Sequence, residues 1–424
     1  MRIAFFLNNK SLPNKDYSDI INFNNGLPGS EYEFLLVSYL LDKRDNNLEV
    51  YLFVNFEASL PHSNIVKVNN LGDCCSYCVN NDILKLVIDG KYFDKNILDN
   101  YSHLQYIIWA HNTLSIKTLT LLNELNYIKR LVCVGREQLE LFRDHPITWK
   151  STYIYNIFPI NDVEHYKQCI LKKDNHNVVY MGCLIEEKGF HLLAKIWKDI
   201  LRDVPDAKLY VIGDGRVYDS NAELGNYGLA SPEYENKFIP YLLDENGNIM
   251  SSVHFMGRLG FEKYDILKKC KVGIPSPTCA SETFCIVALE MQLYGCVVTS
   301  YKKPALLDTV VNRKNLYKSE SELKKYVVKL LKSTIDNNEY SYTYNYLQLN
   351  FNINDNIKRW ECLFNDGLLI EPISRNNFHQ KYIKNILLYI KKYFPYANRF
   401  PLIEKIYNAY YMNINRRDKI LLPN

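Results

Sequence analysis

Short apolar strand patterns separated by segments of helical period recur in two successive series along this chain, and that alternation constrains the fold more than any other feature. In the first series, Arg2 to Leu7, Glu49 to Val54, Leu84 to Ile88, Tyr106 to Trp109, Leu131 to Val134 and Thr152 to Tyr155 are short, apolar and β-branched or aromatic, as strands are. Between them, Phe34, Leu35, Ser38 and Leu41, and more weakly Leu119, Leu122 and Leu125, keep a helical spacing. Strand and helix in alternation predict a mainly parallel sheet with helices on both faces.

The polar stretch 161–177 has no clear period and reads as a linker. A second series follows. Val178 to Met181 is a strand pattern, Phe190, Leu193, Ala194, Trp197, Ile200 and Leu201 follow a 3.6-residue period, and Leu209 to Ile212 is the next strand. After a polar excursion over 221–248 come Val253 to Met256, Val272 to Ile274 and Val297 to Thr299. At 424 residues the chain exceeds one typical core. The expected fold is therefore α/β, with two Rossmann-like, doubly wound parallel-sheet domains facing a central cleft. The expected boundaries are 1–165, 166–358, and a helical segment over 359–424 that crosses back to the N-terminal domain.

Hydrophobic content of 47% and charged content of 23% are those of a globular chain, and a net charge of +4 is too small to imply nucleic acid. The charge is unevenly placed. Residues 375–424 carry ten lysines and arginines against Glu404 and Asp418, interleaved with aromatics such as Tyr382, Tyr389, Tyr393 and Phe394. That composition fits an amphipathic surface for anionic headgroups, and equally a terminal helix packed on the first domain. No apolar run reaches the ~18 residues that span a bilayer, and the chain opens straight into a strand pattern without a signal peptide. A cytoplasmic protein is expected, at most peripheral on the inner face of the plasma membrane. Eleven scattered cysteines suit reduced core thiols. The CxxC within Cys74 to Cys78 lacks a second pair at metal spacing, and the nine histidines form no HExxH, so no metal is expected.

The side chains that chemistry needs lie at strand ends. Glu282 and Glu290 stand eight residues apart, Glu282 at the mouth of a helix expected from Phe284, Val287, Ala288 and Met291, and Glu290 two turns inside it. Because this helix follows the strand pattern Val272 to Ser276, its leading loop occupies the place where open α/β sheets bind ligands. A carboxylate buried in such a helix is costly unless satisfied, and ribose hydroxyls satisfy it. Taken alone, the pair reads more simply as two surface glutamates. In Gly182 to Gly189, Lys188 lies beside a helix N-terminus, a place for phosphate. Gly213-Asp-Gly215 and Gly257-Arg-Leu-Gly260 turn after the next two strands, and Asn25 to Glu31, with its glycines, precedes the first helix. Each glycine loop alone is an ordinary turn; their order is the signal.

That order resembles the retaining, nucleotide-sugar-dependent glycosyltransferases of the glycosyl transferases group 1 family (family 4), which have the GT-B fold. The resemblance is carried by Val178 to Phe190, Ala207 to Gly215, Val253 to Gly257, and Pro275 through Glu290 to Gly295. It implies that Glu290 holds the ribose, that Glu282 contacts the donor sugar, and that Lys188 neutralises the diphosphate. Thr283, Phe284, Cys285 and Ile286 would present backbone N–H groups to the diphosphate, and Arg258 and Leu259 would lie near the base. Gly29 matches the family's glycine loop near the diphosphate, and His111 in Trp-Ala-His-Asn matches a histidine near the transferred sugar. The chain departs from the family pattern at Cys183, where arginine is usual, and at Cys285, where glycine is common. Loss of the arginine removes a charge-assisted bond of roughly 1.5 to 3 kcal/mol, for which Arg258 is the candidate substitute.

The resemblance further implies transfer with retention, with no cofactor or metal and with a nucleotide-diphosphate sugar as co-substrate. The partners expected are that sugar and a glycan or glycolipid acceptor, in bacterial surface polysaccharide synthesis (lipopolysaccharide, capsule or teichoic acid), and no nucleic acid. Alternatives are a GT-B phosphorylase, a sugar-nucleotide epimerase, or a non-catalytic sugar-nucleotide-binding subunit. On the leading reading, Lys188→Ala and Glu290→Ala each lower transfer at least about tenfold with the fold intact, each having removed an interaction made with the transition state.

Overall fold

Seven parallel strands form the first sheet: β1 (Arg2–Leu7), β2 (Glu49–Val54), β3 (Ile65–Lys67), β4 (Lys85–Asp89), β5 (Gln105–Ala110), β6 (Ile128–Cys133) and β7 (Ser151–Tyr153), in the spatial order β3-β2-β1-β4-β5-β6-β7. The computed structural model describes residues 1–365 except 11–16, 19, 22–26, 45–46, 57–58, 60–61, 161, 172, 174, 219–220, 279, 281 and 335. The basic aromatic stretch 375–424 lies outside the described residues. The longer helices of this half are α1 (Gly29–Asp42), α2 (Leu71–Asn80), α3 (Lys95–Asp99), α4 (Ile116–Glu124) and α5 (Arg136–Leu141). Strand β1 is buried almost throughout, because helices cover both faces of a parallel sheet. The edge strand β3, only half-buried, lacks the apolar run that marks the others and has no counterpart in the strand patterns.

The second sheet joins β8 (Asn177–Met181), β9 (Lys208–Ile212), β10 (Val253–Gly257), β11 (Val272–Ile274) and β12 (Val297–Val298) in the order β10-β9-β8-β11-β12, all parallel. Two further short strands, β13 (Ser300–Tyr301) and β14 (Leu316–Tyr317), pair beside it. Helices α6 (Val163–Ile170), α7 (Phe190–Asp203), α8 (Pro232–Phe238), α9 (Lys263–Lys269), α10 (Ile286–Leu293), α11 (Pro304–Thr309), α12 (Leu323–Lys332), α13 (Asn337–Phe351) and α14 (Ile353–Phe364) complete the described chain.

The stretch 161–177 is not a plain linker. It contains α6, capped by Asp162, whose carboxylate accepts from His165 N–H at 2.8 Å, and which buries Tyr166 and Cys169. Two apolar contacts over eight residues are too few to register as a period. In the excursion 221–248, Ser231 likewise caps α8. Helix α10 begins at Ile286 rather than Phe284, leaving Glu282 in the loop and Glu290 little more than one turn inside.

In each sheet the strand order reverses once, between β1 and β4 in the first and between β8 and β11 in the second. Loops leaving the carboxyl ends of strands at such a switch point diverge, and the gap they leave takes ligands. One seam holds the two halves together. Asp308 of α11 accepts from Glu137 N–H at 2.8 Å and from the Tyr155 hydroxyl at 3.1 Å, and Tyr155 packs on Phe284 and Phe351. The chain then returns to the first sheet: Trp360 of α14 meets Phe5 and Trp109, and Phe364 meets Phe5.

Candidate active site

The loops at the two switch points face one another across a cleft enclosing about 700 Å³ of space open to solvent. Leu27, Pro28 and Gly29 line it from the first domain; from the second come Met181 to Cys183 and Lys188 after β8, Val217 and Tyr218 after β9, and Pro275 with Glu282 and Phe284 to Val287 after β11. Glu290 closes it. Seven of the residues picked out from the sequence as donor contacts, Gly29, Lys188, Glu282, Phe284, Cys285, Ile286 and Glu290, thus meet although they are up to 261 positions apart (290 − 29).

Lys188 and Glu282 pair at 2.5 Å, each side chain about 12% exposed. Burial pulls the Lys188 ammonium down, and the Glu282 carboxylate more than reverses this, holding it above its usual range. The Tyr218 phenol stands beside the pair, its pKa raised chiefly by burial. Lys188 is aimed by the residue after it. Gly189 adopts φ +78°, and a β-carbon there would meet Thr278 at 2.5 Å, so only glycine turns the chain into α7 at this point.

Two helices present uncapped N-termini to the cleft. Neither Pro28 before α1 nor Cys285 before α10 makes a side-chain capping bond, so the first-turn N–H groups of both helices lack the usual side-chain acceptor. With Lys188 between them they form a concentration of positive potential suited to a diphosphate. Gly29 fits that use: a β-carbon at 29 would make only an ordinary 3.5 Å contact with Ile286, so no protein neighbour demands glycine there. Gly213 is different. A β-carbon there would lie 2.2 Å from the Gly182 carbonyl, so this glycine serves the packing of two strand ends. Cys285 sits at φ −92°, which any residue adopts, and the cysteine is no obstacle to the turn.

Glu290 is 3% exposed and pairs at 2.6 Å with Lys263 of α9, a residue that the sequence motifs do not single out. The signal for it was faint: a lysine at the start of a helix after the Gly257 turn.

Residues 162–346 match the model of the glycosyl transferases group 1 family. That match spans most of the second domain. The matched span contains Lys188, Lys263, Glu282 and Glu290. A protein of Haemophilus influenzae described as an uncharacterized glycosyltransferase is 23% identical over 264 residues, which cover 60% of this chain and 67% of that one. Among solved structures, a sucrose-phosphate synthase from Thermosynechococcus elongatus superposes with a TM-score of 0.62 at 14% identity, covering 86% of this chain and 98% of its own. An E. coli structure described as trehalose-6-phosphate bound with UDP-2-fluoro glucose gives 0.55 at 13%, covering 88% and 100%. Both show the fold, which is GT-B.

The remaining positions of the group 1 pattern are distributed as follows. Cys183 is buried, its thiol pushed up to about 11 by burial and facing the Val217 and Tyr218 N–H groups. Arg258 does not stand in for the absent arginine at this cleft: its guanidinium lies 3.3 Å from Asp214, outside the lining, and Leu259 packs against the apolar core. Tyr218 occupies the place next to Lys188. The Thr283 hydroxyl donates to the backbone carbonyl of His111, joining the glutamate loop to the end of β5. The His111 ring is outside the lining too. It is held between Phe34 and Trp109 with Nε2 unpartnered, and burial pushes its pKa down to about 3, which makes it neutral. Among the described residues no group of three or more His, Cys, Asp or Glu stands close enough to hold a metal ion, and no helix is long and apolar enough to cross a membrane.

Proposed function

We propose that this protein is a retaining glycosyltransferase that moves a sugar from a nucleoside-diphosphate sugar to a hydroxyl of a glycan or lipid-linked glycan. The observation that carries this reading is Lys188 paired with Glu282 between two uncapped helix N-termini, in a domain that matches the group 1 family. As the glycosidic bond to the diphosphate breaks, negative charge grows on the β-phosphate while the sugar becomes cationic. Donors already fixed where that charge appears stabilise the transition state without reorganising. Lys188 exchanges Glu282 for the phosphate, and the freed carboxylate of Glu282 accepts from the donor sugar's hydroxyls. Charge neutralisation is assigned to these groups rather than to a metal.

Among the described residues that line the cleft, Glu282 and Glu290 are the only carboxylates, and each is paired to a lysine. Neither is placed as a free nucleophile, so retention is assigned to attack from the face the diphosphate leaves, with a phosphate oxygen taking the acceptor's proton. For the acceptor we favour a bacterial surface polysaccharide or its lipid-linked precursor, on the strength of the ten cations and interleaved aromatics of 375–424.

A screen of nucleotide sugars for protection against thermal unfolding identifies the donor, since a ligand bound only by the native state raises Tm. Proton NMR of the product then gives the anomeric configuration. Retention supports the mechanism and inversion overturns it, while donor binding with no transfer to any acceptor supports a binding subunit instead.

A further inference from the structure

Lys263 is a buried cation, paired with a carboxylate that lines the cleft, which the proposed chemistry leaves unused. Its ammonium is 2.6 Å from Glu290 Oε1, the two side chains are 7% and 4% exposed, and the ammonium also lies over the Tyr264 ring at 5.1 Å. Burying two charges is costly, and removing one member of such a pair strands the charge of the other. The contact is an ion pair and not a well-directed hydrogen bond: Glu290 Oε1 is buried with no hydrogen-bond partner. The carboxylate also takes a hydrogen bond from the Tyr264 hydroxyl, and its remaining capacity to accept is what a ligand can use. An adjacent pair of hydroxyls, two donors side by side, fits that capacity, because an ionised carboxylate accepts at both oxygens whereas a protonated one gives up an acceptor.

The opposite wall comes from the other domain. Tyr32 of α1 is fully buried, its hydroxyl has no hydrogen-bond partner, and the charge of Glu290 contributes to raising its pKa, after burial and Glu33. It stands three residues from Gly29 on the same helix. Lysine on one side and an unpaired phenol on the other confine Glu290 to one orientation.

We propose that Lys263 is a positioning residue that holds the Glu290 carboxylate oriented to read the vicinal diol of the nucleotide's ribose, making the site selective for ribonucleotides over 2′-deoxyribonucleotides. This rests on the nucleotide-sugar reading above and extends it from the presence of a ribose carboxylate to how that carboxylate is kept competent.

The test is calorimetric titration of the full chain with UDP, GDP and ADP, then with the 2′-deoxy form of whichever binds best. Lys263→Met is expected to weaken binding of the ribonucleotide at least tenfold and to bring the ribo-to-deoxy preference close to one. Lys263→Arg, which keeps the charge, is expected to retain the preference. Where the methionine variant does not fold, Lys263→Gln takes its place under the same criteria. A wild type that binds none of the three nucleotides overturns the nucleotide-sugar reading and this role together. A wild type that binds, with an uncharged variant that keeps the wild-type preference, overturns the role of Lys263 alone.

Discussion

Two lysine–carboxylate pairs, each contributing its glutamate to the lining of the cleft, differ in depth. Lys188–Glu282 is about 12% exposed on each side and opens towards the space between the helix N-termini, whereas Lys263–Glu290 is 7% and 4% exposed and sealed by Tyr264. A pair whose lysine and glutamate both line the cleft can trade partners when an anion arrives, because the anion replaces the carboxylate as counter-charge. A sealed pair cannot, since separating it strands a charge. The same chemical motif therefore serves as an exchangeable counter-ion in one place and a fixed brace in the other.

The largest expected effect breaks the exchangeable pair. Lys188→Ala should lower kcat by about 100-fold or more, the scale of removing a transition-state charge stabiliser, with little change in Tm. Steady-state transfer assays beside a melting curve check both halves of that statement. Near-normal turnover would remove Lys188 from the mechanism.

Breaking the sealed pair should act differently. Glu290→Ala takes from the buried Lys263 ammonium its carboxylate counter-charge, and breaking a buried pair in this way costs about 3 to 5 kcal/mol. This revises the expectation from sequence that such a variant keeps its fold intact. Denaturant unfolding reads the loss, and the double variant Glu290→Ala with Lys263→Met should recover most of it. A stable single variant would show the pair to be an incidental contact.

The seam between the domains gives the next effect. Burial pushes the Asp308 carboxyl up to about 7, against the stabilising Glu137 N–H. The folded chain then keeps its proton to about pH 7 while the unfolded chain releases it near pH 4. Between those values the native state binds more protons, so stability falls as pH rises through this window and levels off above it. Asp308→Asn should flatten the dependence of Tm on pH between about 4 and 7. An unchanged slope would place the titrating group elsewhere.

A smaller effect tests the position beside Lys188. Cys183→Arg would put the family's usual residue into a buried site already closed by Val217 and Tyr218. Overpacking of about 1 to 3 kcal/mol is expected, without a gain in nucleotide affinity. Tighter binding would show that the pocket can reopen around an arginine.

How much of this was legible in the sequence differs between the two halves. The second domain could be read closely, because its chemistry sits on loops at strand ends, where glycine turns and charged residues interrupt apolar runs. Lys188, Glu282 and Glu290 all stand out for that reason. Its counter-ion did not. Lys263 looks like any surface lysine on a short helix, and only the approach of α9 to α10 reveals its partner. In the first domain the strands were readable and the site was not. Gly29 lies in the cleft, but the His111 ring is turned into an aromatic cluster, and only its backbone carbonyl meets the glutamate loop. Helix α6 went unread because two buried residues make no period, and β3 because an edge strand needs little apolar surface. Tyr218, beside Lys188, lies in a polar loop with nothing in its pattern to mark it.

The claim that Lys188 exchanges Glu282 for a diphosphate is tested most directly by titrating the preferred nucleoside diphosphate into wild type, Lys188→Ala and Glu282→Gln. Exchange predicts tight binding to wild type, binding at least about tenfold weaker in Lys188→Ala, and binding as tight or tighter in Glu282→Gln, where the lysine no longer has to leave a carboxylate. Equal affinity in all three proteins would contradict it.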